Sequence, residues 1–103
     1  MQAKPETLAA IREHRAAVKF VPEHLYPGAP NEEIRVRCEA AVNRFLDEIL
    51  TLLDHDTSKE EFLASARRML DELSEEDTEE REQADTYVGE YMRALEIDDS
   101  DIL

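Results

Sequence analysis

Residues 31–53, Asn-Glu-Glu-Ile-Arg-Val-Arg-Cys-Glu-Ala-Ala-Val-Asn-Arg-Phe-Leu-Asp-Glu-Ile-Leu-Thr-Leu-Leu, decide the fold. Asn31 is a good N-cap residue, and Glu32 and Glu33 follow where the positive end of a helix dipole favours anions. Ile34, Cys38, Ala41, Phe45, Ile49 and Leu52 recur at three- and four-residue steps, and Val42, Leu46, Leu50 and Leu53 widen that stripe beyond one side. A helix apolar over so much of its girth must be the central, most buried one. Arg35, Arg37 and Arg44 take its remaining face, with Glu33 and Arg37 in the favourable i to i+4 order.

Working outward, the preceding segment 26–30, Tyr-Pro-Gly-Ala-Pro, has the fixed torsions and permissive glycine of a loop. Before it, Pro5 suits a first helical turn, and Leu8, Ile11, Ala16 and Val18 predict a helix running to about Lys19-Phe20. After residue 53, Asp54-His55-Asp56 breaks the pattern. Thr57 and Ser58 each have a glutamate three residues on, Glu60 and Glu61, as a capping box needs. A third helix follows, buried through Phe62, Leu63, Ala66, Met69, Leu70 and Leu73. Asp77 or Thr78 caps a fourth, with a stripe of Ala84, Tyr87, Val88, Tyr91, Met92 and Leu95. Residues 97–103 read as a short acidic tail whose Ile102 and Leu103 fold back onto the core.

No stretch alternates with period two and none repeats. The expectation is therefore an all-α chain: one domain over residues 1–103, a single four-helix bundle, antiparallel or irregular, with a proline-containing loop between helices 1 and 2. A length of 103 residues with 42% apolar content supports one core and makes two domains implausible.

Composition bounds function as well. No run approaches the roughly 18 apolar residues of a membrane span, and residues 1–5 lack a secretory core, so a cytoplasmic protein is expected. Cys38, the single cysteine, stands among apolar positions and reads as a small hydrophobe. The net charge of −14 is uneven: residues 1–52 carry seven Lys/Arg against eight Asp/Glu, and residues 53–103 five against eighteen. Such a field repels nucleic acid and anionic membrane and favours basic proteins.

Several chemistries lack their residues. Counting Asp54 as the first ligand of a calcium loop puts Lys59 where a glycine belongs and Ser65 where a bidentate glutamate belongs. His14, His24 and His55 are too widely spaced for a local zinc pair, and two glycines cannot build a phosphate-cradling loop. No carboxylate pair is marked as general acid and base. The expectation is no catalytic residue, no cofactor and no metal.

The unusual feature is residues 71–85, where Asp71, Glu72, Glu75, Glu76, Asp77, Glu79, Glu80, Glu82 and Asp85 are balanced only by Arg81. One reading is solvated turns and favourable N-terminal charges. The other is an acidic surface that grips a basic partner, favoured by crowding beyond what solubility needs. Tyr26 joins these residues as an expected partner contact, its alternative being to plug the end of the bundle. Tyr87 and Tyr91 belong to the core.

From about Phe20 onward, Tyr26-Pro27-Gly28, Arg44-Phe45-Leu46-Asp47 and Thr78-Glu79-Glu80-Arg81-Glu82, ahead of Tyr87 and Tyr91-Met92, resemble a family of small, acidic, all-helical bacterial domains of unknown function. The resemblance implies a helical domain and carries no catalytic residues over. In character rather than motif, the chain is also similar to toxin immunity proteins and antitoxins. That likeness implies a protein-binding module that covers the active site of a basic toxin, a nuclease for instance. The alternative expectation is a structural or regulatory module acting through self-association or subunit docking.

Overall fold

The computed structural model describes residues 3–23 and 25–97. Four helices account for its regular structure: α1 Pro5–Ala16, α2 Glu32–Leu53, α3 Lys59–Glu72 and α4 Thr78–Ala94. The side-chain bridges between them fix their directions. Arg15 meets Asp47, and just beyond α1 the Lys19 backbone N–H donates to Glu39, so α1 runs against α2. Arg37 meets Glu76 and Arg44 meets Glu72, so α3 also runs against α2. Along α4, Glu80 meets Tyr26, Tyr87 meets Phe20 and Tyr91 meets His14, so α4 runs against the first segment. The chain is a four-helix bundle.

As its broad apolar stripe requires, α2 lies at the centre, burying Cys38, Ala41, Val42, Phe45, Leu46, Ile49 and Leu53. Asn31 caps it by accepting from the Ile34 N–H at 2.9 Å. Ser58 caps α3 with a full capping box to Glu61, which makes the 54–58 segment a helix start. All six expected stripe residues of α4 are buried. Cys38 has no exposed surface, and burial, with the charges of Glu76 and Glu80, pushes its thiol up to about 11.

Two boundaries differ from the sequence reading. α1 stops at Ala16, and Ala17 turns to extended backbone. Lys19 closes the end instead of continuing it: its buried ammonium donates to the carbonyls of Arg15 at 3.2 Å and Ala17 at 2.9 Å. Those carbonyls lack intrahelical partners, and a cation there also suits the negative end of the dipole. Ala16 and Val18 are consequently exposed. At the other end, Ile97 belongs to the core. Glu96 takes φ +61°, and the N–H groups of Ile97 and Glu96 reach back to the carbonyls of Met92 at 2.8 Å and Arg93 at 3.1 Å, a Schellman closure. The expected folding-back of Ile102 and Leu103 lies outside the described residues.

Candidate protein-binding surface

The loop between α1 and α2 is fastened to α4 by polar side chains. Glu80, Gln83, Tyr87 and Tyr91 follow one another at steps of three and four, so they share one face of α4. Glu80 accepts from the Tyr26 hydroxyl at 2.9 Å, Gln83 donates to Glu23 at 3.1 Å, and the Tyr87 hydroxyl accepts from the Phe20 N–H at 3.0 Å. The fourth contact joins Tyr91 and His14. This ladder holds backbone that is otherwise unfavourable, since Phe20 takes φ +61° and Leu25 φ +65°.

Glu23 and Tyr26 exchange both backbone hydrogen bonds, at 2.9 and 3.0 Å, which puts Leu25 in a tight turn. Its side chain is 93% exposed. Beside it runs a groove of about 580 Å³ between the loop and α4, lined by Glu23, Leu25, Pro27, Glu79, Glu82 and Glu90 among others. Among the described residues, no Lys or Arg lines it. Burial first, then the neighbouring charge of Glu23, raises the Glu90 carboxyl above its ordinary value. A second hollow of about 620 Å³ lies on the other side of the loop, where Pro27, Gly28 and Pro30 face Asp77 and Glu79.

The nine carboxylates of residues 71–85 are not all displayed at the surface, where seven of them are exposed. Glu76 is half-buried in a two-bond pair with Arg37, at 2.6 and 2.8 Å. That pairing holds its carboxyl below the ordinary range. Glu72 binds Arg44 at 2.9 Å. Glu80 is buried, and so is Tyr26; the two lie beneath the surface rather than on it, because each satisfies the other's polar group inside the bundle. Tyr26 therefore plugs the bundle end. Asp71, Glu75 and Asp77 are exposed at the α3–α4 junction, and Asp85 lies with Arg81 in a separate notch between these helices. Glu79 and Glu82 alone of the nine line the groove that carries Leu25.

Sequence reasoning missed Glu23, Leu25 and Glu90. Glu90 had a signal, since Glu79, Glu82, Thr86 and Glu90 share a helical face outside the apolar stripe. Glu23 and Leu25 had none: the turn that delivers them depends on contacts with a helix about sixty residues away along the chain.

Among the described residues no three His, Cys, Asp or Glu side chains converge to hold a metal ion, and His24 of the sequence-level zinc argument lies outside them. No helix among them is long and apolar enough to cross a membrane.

A family model described as "Domain of unknown function (DUF4844)" matches residues 2–103, and the chain belongs to that family. Neither curated proteins nor solved structures gave a match.

Proposed function

We propose that this member of the DUF4844 family is a non-catalytic protein-binding module that grips a basic partner in the groove between its α1–α2 loop and α4. One observation carries this reading: a fully presented Leu25, held in strained backbone, stands beside a groove lined by Glu23, Glu79, Glu82 and Glu90, with no Lys or Arg among the described lining residues. Exposed apolar side chains next to like charges are costly alone and productive against a partner offering an apolar pocket ringed by Lys and Arg. In its acidic, all-helical character the chain is similar to immunity proteins and antitoxins. The partner we favour is a basic toxin such as a nuclease, met in a bacterial cytoplasm, its active site covered by this face.

The test is binding of the protein encoded by the adjacent reading frame, at low and high salt. Complex formation that weakens with salt, and is lost in both Glu79→Lys/Glu82→Lys and Leu25→Asp, supports the reading. A partner bound equally well by the charge-reversed protein sinks it. Glu76 and Glu80 are unsuitable for reversal, because both are tied into the fold.

A second reading, self-association or docking to another subunit, draws on the exposed apolar side chains Val18, Leu25 and Val36. It predicts that Leu25→Asp alone disrupts the assembly and that charge reversal leaves it intact.

A further inference from the structure

His14 faces α4 from the last turn of α1, half-buried, with its ring centroid 5.0 Å from that of Tyr87 and 5.3 Å from that of Tyr91. Its Nδ1 is hydrogen-bonded to the Tyr91 hydroxyl. Tyr91 is 4% exposed, and its hydroxyl has no other hydrogen-bond partner among the described residues. With its proton on Nε2, the neutral imidazole accepts the phenolic proton at Nδ1. A protonated one has no lone pair, so the hydroxyl would have to reverse into an acceptor and turn its own hydrogen away from His14 towards the small cavity that both residues line.

We propose that His14 is an acid-operated latch: neutral, it closes α1 on α4 through Tyr91, and protonated, it opens that seam while α1 stays on α2. The two sides of α1 are held differently. Against α2, Arg15 clasps Asp47 with two bonds at 2.7 and 3.2 Å, and an arginine–carboxylate pair does not respond to mild acid. Against α4, the only other hydrogen bond between the two helices among the described residues is a long one, Thr7 Oγ1 to the Ala94 carbonyl at 3.4 Å.

The charges around the imidazole come from every neighbouring element. The Lys19 ammonium of the loop opposes a second cation, whereas Glu23 of the loop favours one; Glu90 of α4 lines the small α1–α4 cavity with His14. On the α2 side, Asp47 is taken by Arg15, and Glu39 accepts from the Lys19 N–H. Burial is the largest influence and, with Lys19, holds the imidazole below its ordinary value of 6.5. The latch is therefore closed at neutral pH and opens only on acidification.

Amide hydrogen exchange on the intact protein, expressed as protection factors, tests this between about pH 8 and about pH 5, the range in which histidine changes charge. Residues 5–16 should lose protection severalfold at the acid end while α2 and α3 keep theirs. In His14→Gln, which can accept but cannot titrate, the loss should vanish. An equal acid-dependent loss in His14→Gln, or none in the parent, overturns the latch. Should that variant not fold, an NMR titration of His14 in the parent and in Tyr91→Phe decides. The latch requires a value below 6.5 in the parent that rises when the hydroxyl is removed; an unmoved value overturns it.

Discussion

The Tyr26 hydroxyl donates to the Glu80 carboxylate at 2.9 Å, and both side chains are buried. This bond ties the α1–α2 loop to the first turn of α4, and so fixes one wall of the acidic groove. Tyr26→Phe would leave a buried carboxylate without its donor and should lower stability by about 2 kcal/mol. Glu80→Gln keeps an acceptor for the hydroxyl and should cost less. Urea midpoints at constant m-value check the order. A Tyr26→Phe protein as stable as the parent would mean that the loop is held by the rest of the ladder.

The two glycines should respond to alanine with opposite signs. Gly28 has φ +91°, and an added Cβ would lie 2.9 Å from Pro22 Cδ, against a ring that cannot rotate away. Gly28→Ala should destabilise by about 1–3 kcal/mol, the usual cost of forcing a side chain into such backbone. Gly89 sits within α4, where a Cβ meets only the far end of Arg93 at 3.6 Å. Gly89→Ala should therefore gain about 1 kcal/mol from helix propensity. Thermal unfolding of both variants gives the signs directly.

These responses also mark which parts of the fold the sequence made legible. Periodicity is a local property, so the α2 stripe and the Ser58–Glu61 capping box are visible in the residues alone. The end of α1 is not, because Lys19 terminates it by folding back on carbonyls that a linear pattern cannot place. The acidic cluster was legible as composition and illegible as geometry. Charge counting cannot tell that Glu72 and Glu76 face the arginines of α2, or that Glu80 turns inward to a tyrosine 54 residues away.

Acid should act on stability in opposite directions at different groups. Arg37 lowers the Glu76 carboxyl below 4.5, and Arg15 lowers that of Asp47 below 3.8. The unfolded chain therefore takes up these protons first, and the stability they supply is present above the unfolded values and lost as pH falls through the folded ones. Glu90 and Asp85 are raised by burial, so the folded state protonates them first and gains stability as pH descends towards their ordinary values. Glu90→Gln should accordingly be more stable than the parent at neutral pH and lose that advantage on acidification. Glu76→Gln should flatten the steep acid limb. Denaturation midpoints across the pH range would expose a failure of either sign.

Leu25 and Glu96 share a backbone conformation, φ +65° and +61°, that costs an ordinary L-residue about 1–2 kcal/mol. Glu96 has a structural reason to be there, since the Schellman closure needs a left-handed residue, and glycine would serve it better. Glu96→Gly should gain about 1 kcal/mol and leave partner binding unchanged. Leu25→Asn should gain a similar amount, because asparagine tolerates this conformation and an exposed leucine contributes no burial. It should also abolish capture of the basic partner. The same relief of strain at two sites would thus separate a residue kept for folding from one kept for contact. If the Leu25→Asn protein is more stable and still binds, the strained leucine has no part in recognition and the groove must act through its glutamates alone.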